Sequence, residues 1–105
     1  MTKLTKNEST FLKHFLDDNG CGARTCNDLM ADNFSCQNVE DICEYQELNP
    51  QQVGAYIGSL MDKDIISKEE RSGNETDLFW INDSFLEEIQ ENKQGQVEFQ
   101  KLKFD

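Results

Sequence analysis

The sequence predicts a mainly helical α+β domain with one β-hairpin in its second half, and three observations carry that expectation. Two segments open with a capping box, Thr5-Lys6-Asn7-Glu8 and Asn49-Pro50-Gln51-Gln52, in which a capping side chain meets a Glu or Gln three residues on. Behind each cap, apolar residues recur at helical spacing: Phe11, Leu12, Phe15 and Leu16, then Val53, Tyr56, Ile57, Leu60 and Met61. After a polar stretch containing Gly73-Asn74, the run Leu78-Phe79-Trp80-Ile81 is short, aromatic and β-prone, so it reads as the return strand of a hairpin.

The elements follow in order. The first helix covers about 6–18 and stops at Asn19-Gly20, two residues that tolerate a left-handed backbone. Residues 21–37 carry the least pattern. There Cys26, Leu29 and Met30 suggest a short extra helix after Thr25, and 33–37 read as a loop. Asn38 can cap a helix that turns Val39, Ile42 and Cys43 inward and frays near Gln46-Glu47. The next helix starts with Pro50 at its first position, where a missing N–H costs nothing, and ends around Asp64. Ile65-Ile66 begin a strand, 67–77 form a long hairpin loop, and 78–81 return. Asn82, Asp83 or Ser84 caps a last helix carrying Phe85, Leu86 and Ile89. A polar break at 91–95 separates this single domain, 1–95, from a tail, 96–105. In the tail the apolar pairs Val97/Phe99 and Leu102/Phe104 fall out of phase by one residue near Gln100. The tail is expected to be ordered, either as an extra bulged strand on its own domain or as a segment that binds a partner or a second copy in a homodimer.

Composition sets the bounds. A chain of 105 residues supports one core and not two, and it has one proline and no Ser/Pro linker. No apolar run approaches the roughly 18 residues of a membrane helix, and residues 1–8 lack the apolar centre of a secretory signal. The expectation is a cytoplasmic protein with no membrane partner, whose four cysteines are thiols. The net charge of −11 is concentrated in the middle of the chain rather than in a tail. Such a surface either aids solubility or meets a basic partner, and it repels nucleic acid.

With that order of elements, the stretch Val39-Glu40-Asp41-Ile42-Cys43, then Leu48-Asn49-Pro50-Gln51-Gln52-Val53, then Leu60-Met61-Asp62-Lys63-Asp64-Ile65-Ile66 resembles the helix-turn-helix and wing of MarR-like regulators. The resemblance covers residues 39–89. It implies a winged helix in which 50–63 form the recognition helix and 67–77 the tip of a two-stranded wing, with an insert at 21–37 that the pattern lacks. It also implies regulation of transcription, by reading DNA or by binding protein.

On residues 50–63 the side away from Val53, Ile57 and Leu60 shows Gln51, Ala55, Gly58, Ser59 and Asp62. Gln51 or Gln52 can pair with adenine edges, and small residues allow close approach to a groove. Charge points the other way. Over 49–77, Lys63, Lys68 and Arg71 face Asp62, Asp64, Glu69, Glu70, Glu75 and Asp77, whereas a DNA reader draws most of its affinity from neutralised phosphates. The favoured reading is therefore a basic protein partner met by Gln51, Gln52, Ala55, Gly58, Ser59, Glu69, Glu70, Glu75 and Asp77. A MarR-like, sequence-specific DNA binder is the alternative, and its basic stripe would have to come from Lys3, Lys6, Lys13, Lys101 and Lys103. Gly54 and Gly58, four apart, either pack closely on the first helix or the wing, or leave a flat site for a partner helix.

Little else suggests chemistry. Cys21 and Cys26 have the spacing of a zinc knuckle, while Cys36 and Cys43 lie too far apart for one. A metal site from these four is a minor option beside plain burial, and no cofactor is implied. There is one histidine, His14, no Gly-rich phosphate loop and no nucleophile motif, so an enzyme is not expected.

Overall fold

The computed structural model describes every residue except Met1, Thr2, Cys21, Phe34, Ser72, Asn74, Glu75 and Asp105. Five helices and one hairpin follow in the order α1 (Lys6–Asp17), α2 (Cys26–Ala31), α3 (Val39–Gln46), α4 (Pro50–Asp62), β1 (Ile66–Glu69), β2 (Leu78–Ile81) and α5 (Asp83–Glu91), with a closing 3-10 turn at Phe99–Lys101. This is a mainly helical α+β fold with an antiparallel hairpin after its helices, a layout consistent with a winged helix.

Local chemistry explains most of the boundaries. In α1 the Glu8 N–H donates to Thr5 Oγ1 at 3.1 Å and the Thr5 N–H donates to Glu8 Oε1 at 2.8 Å, a complete capping box. The same reciprocal pair forms between Asn49 and Gln52 at the start of α4, with Pro50 inside it. It also forms between Thr25 and Asp28, which explains why the weakly patterned insert holds the short helix α2. The α3–α4 turn depends on Glu47, whose left-handed φ of 55° closes α3. Asn82 begins α5 without a side-chain cap because its side chain is used elsewhere: its Nδ2 donates to the Asp64 carbonyl at 2.8 Å and its Oδ1 accepts from Ser67 Oγ. Asn82 thus ties the start of the hairpin to the start of the last helix.

The core is shared by every element. Phe11, Leu12, Phe15 and Leu16 of α1 are at most 2% exposed, and Val53, Ile57 and Leu60 of α4, Ile42 of α3 and Phe85, Leu86 and Ile89 of α5 meet them. Each full burial contributes about 1.5–3 kcal/mol before entropy is counted. In the hairpin, the register pairs Ile66 with Ile81 and Lys68 with Phe79, which turns Phe79 and Ile81 to the core. Trp80, opposite Ser67, stands outside and is 38% exposed.

Three boundaries differ from expectation. Helix α4 ends at Asp62, two residues early. The first strand is 66–69 rather than 65–66, so polar Ser67, Lys68 and Glu69 belong to the ladder. The supposed loop 33–37 ends in sheet: Gln37 pairs with Phe79 through N–H to carbonyl bonds in both directions, at 2.9 and 2.8 Å. Gln37 therefore flanks β2 on the side away from β1. The tail lies against the domain. Phe99 and Leu102 are each 1% exposed, the 3-10 turn packs on α1, and the Phe104 ring is 5.8 Å from that of Phe85. The one-residue slip in its pattern is absorbed by the 3-10 turn, not by a strand bulge.

Candidate partner-binding face

Helix α4 buries Val53, Ile57 and Leu60, and its N-terminal cap fixes which residues point away from them. Gln51, Gln52, Gly54, Ala55, Gly58 and Asp62 are exposed. Gln52 Oε1 accepts from the Asn49 N–H in the capping box, so Gln51 is the amide of the first turn that faces solvent with no such local bond. Ser59 lies at the edge of the face. It is half-buried, and its hydroxyl donates to Glu8 Oε2 across the α1–α4 contact.

The two glycines do not pack on anything. Apart from its own helix backbone and chain neighbours, a Cβ built on Gly54 or Gly58 meets no atom within 4 Å, so the close-packing explanation fails, and both face open space. Since Gly in an exposed helix costs up to about 1 kcal/mol relative to Ala, Gly58→Ala should raise unfolding stability by about 0.5–1 kcal/mol. Chemical denaturation checks this. A loss of stability would mean that the helix is crowded there after all.

The cations of this region are already engaged. Lys63 Nζ sits 2.7 Å from Glu8 Oε1, Lys68 Nζ lies 3.4 Å from Glu70 and 3.6 Å from Asp77, and an Arg71 nitrogen lies 3.8 Å from Glu69. Asp77 also accepts from the Arg71 N–H at 3.1 Å, just beyond the paired ends of the hairpin. The exposed pairs made by Lys68 and Arg71 add at most about 1 kcal/mol each to stability. Their electrostatic consequence is larger, because none of the three cations projects unopposed toward a polyanion. Glu69 and Glu70 are exposed and Asp77 half-buried on the same hairpin; Glu75 lies outside the described residues.

The lysines at the two chain ends come together only in part. Lys13 Nζ stands 6.0 Å above the Phe104 ring, which brings α1 and the tail into one surface, but Lys101 is 3.8 Å from Glu98. Three of the four cysteines lie among the described residues. Cys26 is buried on α2, where burial pushes its thiol up to about 12, and Cys36 and Cys43 are half-buried. Cys36 is also raised, by burial and then by the charge of Glu69. Cys21 lies outside the described residues. Among the described residues, no three His, Cys, Asp or Glu side chains gather closely enough to hold a metal ion, and no helix is long and apolar enough to cross a membrane. No protein-family model, curated protein or solved structure matches this chain.

Proposed function

We propose that this chain is a non-enzymatic regulatory protein of winged-helix type that acts by binding a basic protein surface, with the exposed side of α4 and the acidic hairpin as its contact. The observation that carries this reading is the electrostatics of 49–77. The outer side of α4 offers amides, an alanine and two unpacked glycines, and each cation beside it is paired with a carboxylate. A neutral, flat helix next to a negative hairpin suits a partner that brings its own positive charge. It does not suit a duplex, whose phosphates require cations on the protein.

The test compares a Lys/Arg-rich peptide with a mixed-sequence DNA duplex at about 50 mM salt, where the Debye length of roughly 14 Å leaves surface charges active. The peptide should bind, more weakly as salt rises, and Glu69→Lys with Glu70→Lys should reduce its affinity about tenfold, equivalent to ~1.4 kcal/mol. DNA should not bind. Retention of the duplex, with peptide binding indifferent to salt and to those two substitutions, would return the assignment to a MarR-like DNA-binding regulator.

A further inference from the structure

Residues 18–25 join α1 to α2, and one side chain ties this link together. Asn19 Nδ2 donates to the Leu16 carbonyl at 2.8 Å and to the Ala23 carbonyl at 2.7 Å, while its Oδ1 accepts from the Ala23 N–H at 2.8 Å. The amide thus bridges the last turn of α1 to Ala23, which is 8% exposed and belongs to the core. It serves as donor and as acceptor, so a group that only accepts cannot replace it. Downstream the link carries the tail: the Arg24 carbonyl accepts from the Phe99 N–H at 3.1 Å, and Thr25 is bridged to Glu98.

The residue that follows makes this amide chemically vulnerable. Asn19-Gly20 is the one Asn-Gly pair in the sequence. A backbone nitrogen attacks the preceding side-chain amide most readily when its own residue has no Cβ to obstruct the approach. The fold makes no other demand for glycine at 20. Its φ is not left-handed, and a Cβ built there meets nothing within 4 Å besides its chain neighbours. Gly20 is exposed, so water reaches it.

We propose that Asn19-Gly20 is a deamidation site guarded by the fold, and that its conversion is a one-way release of the α1–α2 link. The Gly20 nitrogen, losing its proton to hydroxide, bonds to Asn19 Cγ, and the Cγ–Nδ2 bond breaks to release ammonia with a proton from water. Water then opens the cyclic imide by cleaving the nitrogen's bond to Cγ or to the Asn19 carbonyl carbon, which leaves aspartate or isoaspartate. Because Nδ2 departs, its bonds to the Leu16 and Ala23 carbonyls must be given up first. The rate in the folded protein therefore follows the fraction of time the link is open. The product carboxylate has no donor for those two carbonyls and sets its own charge against their oxygens, so the clamp does not re-form.

The experiment incubates the full chain at mildly alkaline pH, folded and in unfolding urea, and follows Asn19 by peptide mass mapping. Conversion should be at least about tenfold slower in the folded protein. Gly20→Ala, which fits the open space there, should suppress it in urea. Asn19→Asp, the product with a normal backbone, should unfold at lower urea than the parent, and its Phe99 amide should exchange at least about fivefold faster. Equal rates in the folded and unfolded chain would overturn the guard, and conversion of Gly20→Ala in urea at the parent's rate would overturn attack by the Gly20 nitrogen. Parent-like urea melting of Asn19→Asp with an unchanged Phe99 amide would overturn the one-way release. Should Asn19→Asp not fold, parent converted in urea and then diluted should lose native signal in proportion to the fraction converted, and full recovery would overturn the release.

Discussion

Replacing Glu8 with alanine should lower the unfolding free energy by about 2–4 kcal/mol and the melting temperature by roughly 10–20 °C. Glu8 is 4% exposed, and its two oxygens accept from the Thr5 N–H, Ser59 Oγ and Lys63 Nζ. Removing it strands all three donors, although Lys63, whose side chain is 32% exposed, can turn to water and keep the loss below that of a fully enclosed pair. Burial alone would raise the Glu8 carboxyl. The hydrogen bonds from Lys63, Ser59 and Thr5 more than offset that and bring it from an ordinary 4.5 down to about 2. Because the folded value lies below the unfolded one, this stabilisation is complete above about pH 4.5 and is lost as pH falls toward 2. Glu8→Gln should therefore be less stable than the parent at pH 7 and should lose less on acidification over that window. Parallel urea melts at several pH values check this. An acid limb of equal depth in both proteins would show that Glu8 is not the titrating group.

Phe99→Ala should cost about 3–5 kcal/mol, as large-to-small changes in filled cores do. Phe99 is 1% exposed, its N–H donates to the Arg24 carbonyl at 3.1 Å, and the turn it opens packs on α1. The tail is held at several further points. Glu98 pairs with Thr25, and the Gln94 side chain brackets the Lys103 backbone, accepting from its N–H at 2.8 Å and donating to its carbonyl at 3.2 Å. Deleting 96–105 should therefore lower the melting temperature further than Phe99→Ala does. Unchanged melting, with sharp random-coil amide signals from the tail, would show that these contacts do not persist in solution.

Much of the fold was legible because its signals are short-range. The Thr5/Glu8 and Asn49/Gln52 boxes, and Pro50 between the latter pair, specify helix starts from residues three apart, and the inward positions follow from period alone. What was hidden depends on partners distant in the chain. Glu8 shows the sequence only its capping role, and its contacts to Ser59 and Lys63 exist because α1 packs on α4. For the same reason Ser59 falls on the outer side of a helical wheel yet is half-occupied by an internal bond. Ser67, Lys68 and Glu69 look like loop because their alternation is too polar and too brief to register as strand. A cleft between the end of α1 and helix α3 was invisible altogether: Asp18 at the C-cap of α1, Gln37 in the link before α3 and Glu44 on α3 all line it, and nothing in their spacing joins them.

The pairing of Gln37 with β2 has a mechanical consequence. It belongs to a strap: Asn33 Nδ2 donates to the Ile81 carbonyl at 3.0 Å, and Ser35 Oγ accepts from the Ile81 N–H at 2.9 Å across 46 residues of chain. Helices α3 and α4 thus lie within a stretch of chain, 37–79, whose two ends are held together by hydrogen bonds. For α3 and α4 to swing away from the hairpin, these hydrogen bonds between the strap and β2 must break. The helix pair and the hairpin should then open as one cooperative unit, with the amides of Gln37, Phe79 and Ile81 exchanging at a common slow rate.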